Sequence, residues 1–302
     1  MNEPTKHHIQ VGNARVAYVD DGDGPPLLLL HGCPFSSYIW RHVIPLLRPH
    51  FRCIAPDLLG LGDTETPSDA DWSLPAQAVT VLGLLDALSI DTAHIVAHDH
   101  GAATAQLIAA HHPDRIRRLV LTNAEAYNNW PSHDELPFIR ATQLPLIGTL
   151  VMWAWARPAL LRYALRSGHA VHDPAVLTPE LLRGYIAANL ADRHRRAKTR
   201  RFLAGQLNPA NQRATNDALP GLRHFDHPTL IVWGRSDPHF GPEWAQRLHD
   251  DILGAVRVEL LPDTGHLLME ERPEQLARLV ADFLTTEQPS PSRPNETQAH
   301  HA

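Results

Sequence analysis

Apolar and polar residues alternate over residues 8–20 around a polar break at Asn13, which predicts a two-stranded hairpin. Residues 26–30 then form an unbroken apolar run that stops at His31-Gly32, as a strand covered on both faces does. Short apolar runs at 51–55, 94–98, 118–122, 229–233 and 256–261 predict further strands. Helical spacing falls between them, at 76–88, 102–111, 242–249 and 273–284. The last of these opens on a proline, which suits the first turn of a helix. This alternation predicts an α/β protein, with a mostly parallel sheet and helices on both of its faces.

Between 128 and 226 the alternation gives way to helical character, with Trp130, Trp153 and Trp155 inside it. The expected organisation is a core of residues 1–127 and 226–286 and a helical cap of 128–225 inserted into it. Residues 287–302 carry no large apolar side chain, so a disordered tail is expected there. Within the cap, Arg193, Arg195, Arg196, Lys198, Arg200 and Arg201 crowd nine positions and are expected to form a solvated helix face.

The 302 residues include 27 Lys+Arg against 33 Asp+Glu, a net charge of −6 that argues against a dedicated nucleic-acid or anionic-membrane binder. Two cysteines, Cys33 and Cys53, are too few for a disulfide scaffold. The first eight residues lack the apolar segment of a secretory leader, and a cytoplasmic location is expected.

The segment His94-Ile-Val-Ala-His-Asp-His-Gly-Ala-Ala103 runs from a strand through small residues into a helix, with Asp99 at the centre. The pattern small-x-nucleophile-x-Gly makes a sharp turn that lifts the central side chain above the sheet edge. The N–H of His100 would then face the reacting atom, and the N–H of Cys33, in His31-Gly32-Cys33-Pro34, would be a second oxyanion donor. Asp237 and His266 each follow a later strand, giving the order nucleophile, acid, histidine. Glu125, after the strand at 118–122, is an alternate acid.

These motifs resemble the α/β-hydrolase superfamily, and more narrowly its branch with an aspartate nucleophile. The stretches His31-Gly-Cys-Pro-Phe-Ser-Ser-Tyr-Ile-Trp-Arg41 and Arg52-Cys-Ile-Ala-Pro-Asp-Leu-Leu-Gly-Leu-Gly62 are similar to those of haloalkane dehalogenases, with epoxide hydrolases next. The resemblance implies an α/β-hydrolase fold with a helical cap. It also implies Asp99 as nucleophile, His266 as base and Asp237 as acid, expelling halide from a small apolar haloalkane. Epoxide opening and a non-catalytic ligand-binding role are the alternatives.

Two departures stand out. Haloalkane dehalogenases place a Trp after the nucleophile and often an Asn between the Gly and Pro of the earlier motif; here those positions hold His100 and Cys33. The halide site is therefore expected to be weakened, or rebuilt with Trp153 or Trp155 from the cap. Trp40, Trp153 and Trp155 are the candidate pocket residues, and residues 144–156 a candidate pocket wall. The cap tyrosines with which epoxide hydrolases protonate the ring have only Tyr163 and Tyr185 as counterparts, with His224 near the cap's end. No metal and no cofactor is expected. The expected partners are a small apolar substrate and water, with no nucleic acid and no membrane, in a monomer or weak homodimer.

Overall fold

A computed structural model describes residues 5–132 and 135–286; the tail expected at 287–302 lies outside them. The chain opens with the hairpin β1 (Lys6–Val11) and β2 (Ala14–Asp21), then β3 (Pro26–Leu30), α1 (Ile44–Leu47), β4 (Arg52–Pro56) and α2 (Leu74–Ala87). Next come β5 (Ala93–Asp99), α3 (His100–His111) and β6 (Ile116–Ala124). Helices alone follow: α4 (Leu136–Gln143), α5 (Pro145–Trp155), α6 (Pro158–Ser167), α7 (Pro179–Asn189), α8 (Arg193–Gly205), α9 (Pro209–Asp217) and α10 (Leu219–Leu222). The sheet resumes with β7 (Thr229–Gly234), α11 (Pro242–Asp251) and β8 (Ala255–Leu261), and α12 (Leu268–Glu271) and α13 (Pro273–Thr285) close the described chain.

The strands form one sheet in the order β1-β2-β4-β3-β5-β6-β7-β8. β2 runs antiparallel to both its neighbours, and every pairing from β4 to β8 is parallel. The carboxyl ends of β3, β5, β6, β7 and β8 therefore open on one edge, where open α/β sheets place their ligands.

The leucines of β3 show why the sheet is buried on both faces. Leu28 and Leu30 join a cluster with Leu84 and Leu85 of α2, Ile108 of α3 and Leu248 of α11. Leu27 and Leu29 point the other way, to a cluster with Ile44 and Leu47 of α1 and Leu276, Val280 and Phe283 of α13. Alternate side chains of a strand face opposite layers. Each leucine so buried contributes about 1.5–3 kcal/mol by leaving water.

Two local results differ from expectation. α3 begins at His100 rather than two residues later, because the Asp99 carboxylate caps it by accepting from the His100 N–H. The basic run on α8 is not a solvated face. Arg195 reaches Asp63 at 2.6 Å, Lys198 the Gly62 carbonyl at 2.6 Å and Arg200 the Thr142 carbonyl at 2.5 Å. Arg201 lies over the Trp72 ring at 3.9 Å. Long cationic side chains here fasten α8 to loops whose carbonyls need donors.

Candidate active site

Asp99 ends β5 with φ 54° and ψ −120°, a backbone conformation that costs about 1–3 kcal/mol in a residue with a Cβ. That conformation carries its carboxyl to the outer edge of the sheet. Oδ1 accepts from the Cys33 N–H at 2.7 Å and from the His100 N–H at 2.5 Å. The turn has no room for larger neighbours. A Cβ on Gly32 would lie 2.5 Å from the Asp99 Cβ, and one on Gly101 would lie 2.5 Å from the His31 carbonyl oxygen.

The loops after β7 and β8 bring in the other two residues. His266 Nδ1 meets Asp237 Oδ2 at 2.8 Å, and its Nε2 lies 3.5 Å from Asp99 Oδ2. Asp237 is held in turn. Its Oδ1 accepts from the backbone of His239 at 2.8 Å and of Phe240 at 3.1 Å, and its Oδ2 also accepts from Asn123 Nδ2 at 2.6 Å. His98 stacks at a tilt on His266, ring centres 4.6 Å apart, with its own Nδ1 turned to Thr122. Thus the expected residues Asp99, His266 and Asp237 converge, and Cys33 and His100 join them through their backbones. Asn123, which the sequence did not single out, stands at the end of β6 with φ 34°, in the left-handed region that Asn tolerates better than most residues.

Burial favours the neutral form of each of these groups, and their mutual contacts outweigh it for three of them. Burial would lower His266, but Asp237 and Asp99 lift it to about 10. Burial would raise Asp99, but His266, His98 and the Cys33 N–H hold it well below the carboxylate range. Asp237 is likewise lowered against burial, mainly by His266. His98 follows burial and the His266 charge down to about 3, so it stays neutral.

A cavity of about 460 Å³ opens over Asp99 and His266. Its wall includes Cys33, Phe35, Trp130, Trp155, Leu165 and His239, and also Glu135, which the sequence did not single out. Burial first, and then Asp99 and Asp237 against His266 and Ser132, raise Glu135 to about 8. Glu135 Oε2 accepts from the Ser132 hydroxyl at 3.0 Å and lies 3.8 Å from His239 Nδ1.

Several expected pocket and site residues stand elsewhere. Of the three tryptophans, only Trp155 lines the cavity, where it stacks on Phe138 with ring centres 4.5 Å apart. Trp40 is fully buried in the sheet's second cluster and is not part of the cavity wall. Trp153 is exposed under Arg157, whose guanidinium lies 4.3 Å from its ring centre. Most of the 144–156 wall faces outward for the same reason: Trp155 lies on α5's inner side and Trp153 on its outer side. The His100 ring is not in the cavity wall; its Nδ1 meets Glu125 Oε2 at 2.7 Å, a partner that a buried imidazole requires. That pair takes Glu125 away from His266. Tyr185 gives its hydroxyl to Glu270 at 2.8 Å, and Tyr163 and His224 are exposed. The Cys33 thiol is buried and raised well above its ordinary value by that burial. Among the described residues no three His, Cys, Asp or Glu side chains are grouped to hold a metal, and no helix is long and apolar enough to cross a membrane.

An eight-stranded, mostly parallel sheet carrying its reactive groups on strand-end loops defines an α/β hydrolase. Residues 25–273 match the alpha/beta hydrolase fold family, and the chain belongs to it. Haloalkane dehalogenase 2 of Mycobacterium tuberculosis is 31% identical over 270 residues, covering 89% of this chain and 91% of that one. The epoxide hydrolase CorEH superposes with a TM-score of 0.78 at 26% identity, over 93% of this chain and 99% of its own. The meta-cleavage product hydrolase CumD of Pseudomonas fluorescens IP01, as its S103A mutant, gives a TM-score of 0.76 at 25% identity, over 92% and 97%. The chain is thus a hydrolase of this family, with relatives of several chemistries at comparable distance.

Proposed function

We propose that this hydrolase displaces a leaving group from saturated carbon through a covalent ester of Asp99, with small haloalkanes as its substrates. The observation that carries this reading is the Asp99 carboxylate at the elbow, with Oδ1 on two N–H groups and Oδ2 free of them. A carboxylate needs no base to attack carbon, whereas a hydroxyl does. Oδ2 forms the new C–O bond while the C–X bond breaks and the halide leaves with the electron pair. The ester neutralises Asp99, which removes one of the charges that hold the proton on His266. His266 then releases that proton to solvent and, now neutral, takes a proton from water, and the resulting hydroxide attacks Cγ of Asp99. Negative charge gathers on Oδ1, facing the N–H groups of Cys33 and His100. The tetrahedral intermediate expels the alkoxide, which takes the proton from His266, and the carboxyl proton passes to solvent. The haloalkane choice draws on the named relatives and on the motif around His31. Trp155 is the indole nearest in role to the missing halide donor, since Trp130 spends its N–H on Gln206 at 3.1 Å.

Glu135 favours a second reading, epoxide opening. A carboxyl raised to about 8 carries its proton at neutral pH, in the cavity that holds the nucleophile. An opening epoxide needs a proton on its oxygen, and a departing halide does not.

One experiment separates the two. The His266→Phe variant is incubated in turn with a dibromoalkane, a haloacetate and styrene oxide, and the peptide containing Asp99 is weighed. A haloalkane leaves an adduct of its own mass less the hydrogen halide; an epoxide leaves one of its whole mass. No adduct from any of them, with no halide or diol released by the parent protein, overturns both.

A further inference from the structure

α5 spans 11 residues, Pro-Leu-Ile-Gly-Thr-Leu-Val-Met-Trp-Ala-Trp, without one charge. A helix apolar all round belongs in a core or against a membrane. Only one side of this one is covered. Gly148 and Met152 are buried and Trp155 lines the cavity, at helical spacing along its inner side. On its outer side Leu146, Leu150 and Trp153 form a second line at the same spacing, exposed by 81%, 64% and 49%. Exposed Leu144, Ile147, Leu160 and Tyr163 extend that patch onto α6. Monomeric proteins rarely present so continuous an apolar surface without a partner.

Charge identifies the partner. Residues 136–172 contain Arg140, Arg157, Arg162 and Arg166, all exposed, and no Asp or Glu, in a chain whose net charge is −6. The line Leu146, Leu150, Trp153 continues to Arg157, which stacks on Trp153. Apolar residues with a tryptophan, on a stretch whose Lys, Arg, Asp and Glu positions are all arginine, match the acyl and headgroup layers of an anionic bilayer. A second copy seated on the same face would oppose arginines to arginines. Residues 287–302 have no large apolar side chain with which to cover it.

We propose that the outer face of α5 and α6 docks on the surface of an anionic lipid bilayer. At 1.5 Å per residue α5 is about 16 Å long, half the hydrocarbon thickness, so it lies in the interface rather than across it. The inner side of the same two helices lines the cavity, through Trp155 of α5 and Ala164 and Leu165 of α6. Docking therefore sets one cavity wall beside the phase in which an apolar substrate accumulates.

Co-sedimentation of the full chain with phosphatidylcholine vesicles, with and without phosphatidylglycerol, tests this. Binding is expected only with phosphatidylglycerol and is expected to weaken as salt rises, since screening shortens to about 10 Å at 0.1 M. The variant Leu150→Glu/Trp153→Glu, whose positions lie outside the catalytic machinery, is expected to bind at least about tenfold less while keeping the parent's circular dichroism. A second variant, Arg157→Gln/Arg166→Gln, is expected to lose the preference for phosphatidylglycerol. Equal binding to both vesicles, binding retained by the Glu variant, or no vesicle binding would overturn the proposal. So would a dimer in solution that the Glu variant dissolves without any vesicle binding.

Discussion

Asn123 and His266 share one oxygen: Asn123 Nδ2 meets Asp237 Oδ2 at 2.6 Å, and His266 Nδ1 meets the same atom at 2.8 Å. The amide thus competes with the imidazole for the charge that orients it. Asn123 Oδ1 also accepts from the Gly234 N–H at 3.0 Å, so it ties β6 to β7 beneath the site. Replacing Asn123 by Ala strands these buried groups and is expected to cost about 1–3 kcal/mol in urea unfolding. The carboxylate, relieved of one donor, should bind the His266 proton more tightly and move the acid limb of the pH–rate profile upward. An unchanged limb would show that Asn123 only braces the strands.

His266 is expected to act after the first chemical step. His266→Phe should form the Asp99 ester and then stall, with steady-state turnover down by about 10²–10⁴-fold. Asp99→Asn should form no ester at all. Rapid-quench measurement of the first turnover distinguishes the two variants.

The paired charges of Asp99 and His266 make stability depend on pH. His266 is raised in the folded chain from an ordinary 6.5 to about 10. The stability it contributes is therefore full below about 6.5 and is lost as pH climbs through about 10. Asp99 is lowered, so its share is present above its ordinary 3.8 and is lost only in stronger acid. Thermal midpoints of the parent should fall between pH 7 and 10. Asp99→Asn removes one charge from His266, and its profile should be flatter over that span.

Glu135 predicts an alkaline limb specific to oxygen leaving groups. Its carboxyl, raised to about 8, is protonated below that value and ionised above it. Turnover of an epoxide should decline above about pH 8, and Glu135→Gln should remove the decline together with most of the activity. Release of halide from a haloalkane should respond little to the same change. Parallel pH–rate profiles with the two substrate classes would decide this.

Much of this was legible in the chain because apolar runs and small residues report local constraints directly. β3 coincides with the predicted run at 26–30, since both layers of the sheet demand apolar side chains there. Asp99 stood out because a sharp turn at a strand end needs small residues at 97 and 101. Asn123 and Glu135 were not legible, for their roles arise from approaches across the sheet and from the cap that no local pattern records. Tryptophans gave no direction by themselves. Trp153 and Trp155 differ by two positions, which on a helix puts one outside and one in the cavity. Net charge averaged over the whole chain also concealed the acid-free stretch at 136–172, because the carboxylates that balance it lie in other elements.

The left-handed bend at residue 99 has an implication for descent. Its two amide donors and the imidazole are fixed by backbone and by neighbouring loops, not by the identity of the side chain they surround. A hydroxyl placed at that bend would meet the same donors and the same base, in a position to attack acyl groups. On the proposed reaction, one substitution at this bend would exchange alkyl transfer for acyl transfer while the surrounding backbone donors stay in place.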